Sequence, residues 1–114
     1  MTDSERRRAP RRATDLLVNK FIDGQPHATR LVEISPLGCV LERLLEPAVK
    51  RDLYPLEVCV PSRLGGGRMW LWGRPVWESE GRAALRFVGV DPLDRALLSR
   101  FSDMLSGNLA VATG

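Results

Sequence analysis

Five arginines, Arg6, Arg7, Arg8, Arg11 and Arg12, stand within residues 6–12 of the 114-residue chain, with no lysine among them. A guanidinium donates two parallel hydrogen bonds to a phosphate or to O6 and N7 of a guanine, and its flat face stacks on a base. Lysine supplies neither the fork nor the plane. The formal net charge is only +3, and without this tract the rest of the chain is slightly acidic. The basic character is therefore local, which points to an anionic partner held at one place. Arg7 and Arg11, four residues apart, can close around such a ligand from one side. Taken alone, the same tract also reads as a solvated tail that adheres to nucleic acid non-specifically.

A second group lies in Glu33-Ile34-Ser35-Pro36-Leu37-Gly38. Ser35 offers a short hydroxyl beside backbone N–H groups, and Gly38 permits a positive φ or a close backbone approach to a ligand. By itself Ser-Pro-Leu-Gly is an ordinary turn. The other reactive side chains carry less. His27, the sole histidine, has no local Ser, Cys or acidic partner and is a poor basis for acid–base chemistry. Cys39 and Cys59 sit in apolar stretches without metal-ligand spacing, so both are expected as small buried hydrophobes. Trp70, Trp72 and Trp77 are residue types that stack on bases. Strict alternation puts Trp70 and Trp72 on one strand face and Trp77 on the other, so core packing plus one exposed ring is expected. No metal cluster, nucleophile–base pair or phosphate-cradling loop is visible in the sequence, and the expectation is a binding protein rather than an enzyme.

The elements that must position these residues follow from periodicity and turn signals. Residues 16–22 are apolar with β-branched and aromatic members, and Asp23-Gly24 then signals a hairpin into residues 27–34. Strand-like runs follow at 39–44, 53–60, 69–77 and 83–90, separated by Ser-Pro-Leu-Gly, the Gly65-Gly66-Gly67 loop and Glu80-Gly81. Pro55 marks a strand start or an edge. Six short strands at this spacing predict a sandwich or barrel. Asp91 then caps a helix with Pro92 in its first position, and Leu93, Leu97, Phe101 and Leu105 recur every four residues, with Leu98 and Met104 beside them on one apolar face. Three parts result: an arginine-rich arm at 1–12, expected to be flexible, one globular unit at 13–106, and a tail at 107–114. With 44% hydrophobic and 27% charged residues the chain has material for one core. No run approaches the ~18 apolar residues of a membrane span. The basic N-terminus lacks the apolar stretch of a signal peptide, and a cytoplasmic location is expected.

In this order and layout, the motifs resemble those of the PilZ family, and the resemblance covers nearly the whole chain. PilZ domains carry RxxxR near the N-terminus, supplied here by Arg7-Arg8-Ala9-Pro10-Arg11. A (D/N)xSxxG motif follows, supplied by Glu33 to Gly38 with Glu33 where Asp or Asn is usual. Val76-Trp77, in the place of a barrel-packing aromatic, a strand containing Phe87 and a closing helix also fit. The resemblance implies an all-β fold, a six-stranded antiparallel barrel with a C-terminal α-helix, and a receptor for the second messenger cyclic di-GMP. Arg6, Arg7, Arg8, Arg11, Glu33, Ser35 and Gly38 would then contact the ligand, Glu33 accepting from the guanine edge although it is one methylene longer than Asp. Arg6 and Arg8 suggest a second, stacked molecule of cyclic di-GMP. Ordering of the arm would signal to an unidentified protein partner in motility or biofilm control, without a cofactor. Two alternatives stay open: a degenerate PilZ adaptor that binds protein but no nucleotide, and a basic-arm nucleic-acid binder, the less favoured.

Overall fold

The computed structural model describes residues 16–105. The arm at 1–12 and the tail at 107–114 lie outside the described residues. Six strands follow one another as β1 (Leu17–Ile22), β2 (Gln25–Ile34), β3 (Gly38–Arg43), β4 (Tyr54–Cys59), β5 (Arg68–Ser79) and β6 (Arg82–Val88). One 3-10 turn, Ser62–Leu64, precedes β5, and helix α1 (Pro92–Leu105) follows β6. The strands close into an antiparallel barrel in the order β1-β2-β3-β6-β5-β4. The expected six-stranded barrel with a C-terminal helix is thus the observed fold. No helix among the described residues is long and apolar enough to cross a membrane.

Local chemistry accounts for the joints. Asp23 and Gly24 both have positive φ, 52° and 83°, the backbone a two-residue hairpin needs to match strand twist. Arg51 donates through Nε and Nη2 to the two Asp23 carboxylate oxygens at 2.8 and 2.6 Å, tying this turn to the β3–β4 loop. The same contact holds the Asp23 carboxyl below its ordinary range. Pro55 pairs with Trp72 on β5, but the β1–β4 ladder runs only from Val18↔Val58 to Lys20↔Leu56. Its missing N–H therefore costs no bond to β1. Asp91 accepts from the Asp94 backbone N–H at 2.8 Å, the N-cap that starts α1.

Alternation along the strands sends Val18, Leu31, Leu41, Leu56, Val58, Leu71 and Leu85 into the core, which Leu98 and Phe101 of α1 join. The helix presents the expected apolar face except at its start: Leu98 and Phe101 are fully buried and Leu97, Met104 and Leu105 pack against the core, but Leu93 is exposed. The two cysteines also differ from expectation. Cys39 faces inward and is buried, but Cys59 ends β4 pointing outward and is exposed.

The same alternation places Lys20 inside the barrel, 2% exposed. Its Nζ lies 2.9 Å from Glu46 Oε2 and 4.3 Å from the centre of the Tyr54 ring. Tyr54 Oη in turn accepts from the Arg51 backbone N–H at 2.9 Å. One buried cation thus anchors the β3–β4 loop across the barrel. Replacing Lys20 by Met strands the Glu46 carboxylate, and chemical denaturation should register a loss of about 3–5 kcal/mol. The double variant Lys20→Met, Glu46→Leu should return to near the native value. A small loss in the single variant would show that the loop swings out to hydrate the acid.

Burial pushes the Cys39 thiol up to about 12. The unfolded chain releases that proton near ~8.5, so stability falls as pH rises from there towards 12. Native protein at pH 8 should therefore give one labelled thiol, Cys59, with Cys39 reacting only on unfolding. Rapid labelling of both would contradict the buried position.

Candidate functional site on the outer face of β2, β3, β6 and β5

Two β-bulges and one tight turn shape this face. In β2, pairing passes from Leu31↔Leu41 to Glu33↔Val40, so Val32 is the extra residue. Leu31 and Ile34, three apart, both reach the core, and Glu33 between them stands on the outer side. A bulge re-aims a side chain in this way without ending the strand. In β5, pairing passes from Pro75↔Leu85 to Trp77↔Ala84, leaving Val76 as the extra residue. Strict alternation from Leu71 and Gly73 would have turned Trp77 inward. The bulge turns it out.

The registers therefore align Glu33, Val40, Ala84 and Trp77 as one row across four strands. A carboxylate and an indole stand at its two ends, with small side chains between them. A depression of about 480 Å3 follows this row, bordered also by Leu37, Gly38, Arg86 and, from α1, Ser102 and Leu105. The tryptophan expectation fails here. Trp70, Trp72 and Trp77 are 56%, 50% and 47% exposed, so none packs into the core, and Trp77 is no barrel-packing aromatic. Met69, Leu71 and Gly73 occupy the inward positions of β5 instead.

The Ser35–Gly38 turn is built from its own groups. The Ser35 backbone N–H donates to the Gly38 carbonyl at 2.8 Å. The Ser35 hydroxyl oxygen accepts from the N–H groups of Leu37 and Gly38 at 3.2 and 3.3 Å. Phe87 N–H donates to the Leu37 carbonyl at 2.8 Å, and Arg95 of α1 donates through Nη1 to the Pro36 carbonyl at 3.0 Å. Sheet and helix therefore pin the turn from two sides. Gly38 is not in the positive-φ region. What requires glycine is β6: a Cβ here would fall well inside contact distance of the Leu85 carbonyl oxygen and 3.2 Å from the Arg86 Cα. The close approach is thus to the neighbouring strand.

Of the residues that sequence assigns to a site, the structure brings Glu33, Ser35 and Gly38 to one rim. Arg6, Arg7, Arg8 and Arg11 lie outside the described residues. Sequence reasoning missed Trp77 and Arg86 as members of this face. No local signal marked either, since the bulge that turns Trp77 outward shows only in the pairing of β5 with β6. Among the described residues no group of three or more His, Cys, Asp or Glu is placed to hold a metal ion.

No protein-family model matches the chain, and no curated protein matches it.

The turn yields a direct test. Gly38→Ala should destabilise the fold by about 2–3 kcal/mol, since backbone rather than a movable side chain meets the new methyl. Ser35→Ala, which removes the hydroxyl hub but adds no atoms, should cost about 1 kcal/mol. Urea unfolding distinguishes them, and equal effects would contradict the close approach at Gly38.

Proposed function

We propose that the chain is a PilZ-type receptor for cyclic di-GMP that acts in the cytoplasm by binding rather than by catalysis. The observation that carries this reading is the convergence of the Glu33-x-Ser35-x-x-Gly38 motif with Trp77 on one outward depression. Its volume falls in the ~300–1,000 Å3 range of small-molecule sites. A carboxylate accepts from the N1–H and exocyclic amine of a guanine, and an indole offers a stacking face for a base. The pinned turn supplies a fixed rim, and Arg7 and Arg11, with Arg6 and Arg8 beside them, supply phosphate and guanine contacts from the arm. Binding then orders the arm against the rim, and the new surface is what a partner protein reads. Arg6 and Arg8 extend the site to a second, stacked ligand molecule.

One feature favours a second reading. Glu33 is a methylene longer than the usual Asp or Asn, and a displaced carboxylate loses its guanine partner. On that reading the chain is an adaptor that binds protein alone.

Isothermal titration with cyclic di-GMP, with GTP as control, separates the two. The receptor reading expects saturable, selective binding, with two ligands per chain if the second molecule stacks. Arg7→Ala or Arg11→Ala should abolish it at an unchanged melting temperature. Trp77→Ala should weaken it by about 1–3 kcal/mol, the worth of one base–aromatic stack. Absence of heat at high micromolar ligand, restored by Glu33→Asp, would locate the defect in that side chain and favour the adaptor.

A further inference from the structure

Strand arginines in this barrel are, as a rule, paired with acids. Arg30 meets Glu42 at 2.6 Å, Arg43 meets Glu78 at 3.7 Å, Arg68 meets Glu57 at 2.8 Å and Arg82 meets Glu42 at 3.7 Å. Arg74 of β5 and Arg86 of β6 break the rule. Both are exposed, and neither side chain forms a hydrogen bond, ion pair or ring contact among the described residues. They are also directly opposite each other in the ladder. Facing residues of an antiparallel pair hold their Cβ atoms about 5 Å apart, and like charges so placed repel. The rows on either side offer no relief, being Trp72 with Val88 and Trp77 with Ala84. Beyond Arg86 the next residue across is Gly38, which has no side chain to fill the space.

We propose that Arg74 and Arg86 form a clamp for a phosphate group. A carboxylate brings one charge and two oxygens to two guanidiniums, and a phosphate brings more of both. A phosphate presents further oxygens and can take one fork from each arginine. Its negative charge also removes the repulsion between them. Trp72 and Trp77 flank Arg74 on the same outer face, so the clamp suits a phosphate attached to a flat ring as well as inorganic phosphate. Arg86 borders the depression described above, which places the clamp at its edge, on the barrel wall itself. The clamp does not depend on cyclic di-GMP being the ligand of that depression.

The test uses the full chain with isotope-labelled arginine side chains, followed by NMR at the Nε–H groups. Inorganic phosphate is titrated against sodium chloride at matched ionic strength. Saturable shifts are expected at Arg74 and Arg86 and not at Arg63 and Arg100, which are exposed as well. Arg86→Gln should abolish the saturable response of Arg74. At low salt without phosphate, Arg74→Gln and Arg86→Gln should each melt above the wild type, and added phosphate should narrow that gap. Shifts that rise linearly and equally at all four arginines would overturn the clamp. Displacement of bound phosphate by cyclic di-GMP would identify the nucleotide as the phosphate source. Saturation by phosphate with no response to the nucleotide would sink the receptor reading and leave the clamp standing.

Discussion

The approach of β3 to β6 at Gly38 is the constraint on which the rest of this molecule depends. It brings the end of the β2–β3 hairpin against a strand more than forty residues further along the chain, and it closes the barrel on that side. Only a residue without a Cβ lets the backbone sit this close to the Leu85 carbonyl. Once the approach is made, Phe87 N–H meets the Leu37 carbonyl, and Arg95 can reach the Pro36 carbonyl from α1. The turn is therefore locked by the same contact that completes the sheet. A glycine that a motif assigns to a ligand is, in the folded chain, a packing requirement as well.

Much of the architecture was legible because the strands obey period two and the turns use residues with a distinct backbone preference. Asp23-Gly24 and Glu80-Gly81 ended strands where their conformational freedom predicts, and Asp91 capped the helix as its side chain allows. What escaped was parity. A bulge inserts one residue and exchanges the two faces of everything after it, and nothing local at Val32 or Val76 announces one. Which residue is extra depends on the partner strand's register, a long-range property. The tryptophans, of which one exposed ring was expected and three are found, were misread for a related reason: an aromatic ring is a strong hydrophobic signal, but the inward positions of β5 are filled by Met69, Leu71 and Gly73.

Lys20 makes the opposite point. Its position in an alternating apolar strand marks it as inward, yet a lysine inside a barrel needs a counter-charge that the strand cannot supply. Glu46 comes from the β3–β4 loop, and the Tyr54 ring from the strand that follows it. No spacing rule connects them. Of the candidate site, likewise, the motif residues of the turn were legible as types in order, whereas their meeting with Trp77 and Arg86 is a product of register across four strands.

Closure of the barrel has a consequence for how this domain can speak to another protein. Between residues 16 and 105 every strand has a neighbour on both sides over at least part of its length, so the sheet offers a second chain no full-length edge to extend. Recognition by adding a strand is therefore confined to short stretches such as residues 74–79 of β5, which run on past the last pair with β4. Elsewhere a partner must read side chains on the outer wall or loops at the rim. The backbone then serves only as a rigid mount, and affinity for a partner can be retuned by single outward substitutions without disturbing the ladder beneath them.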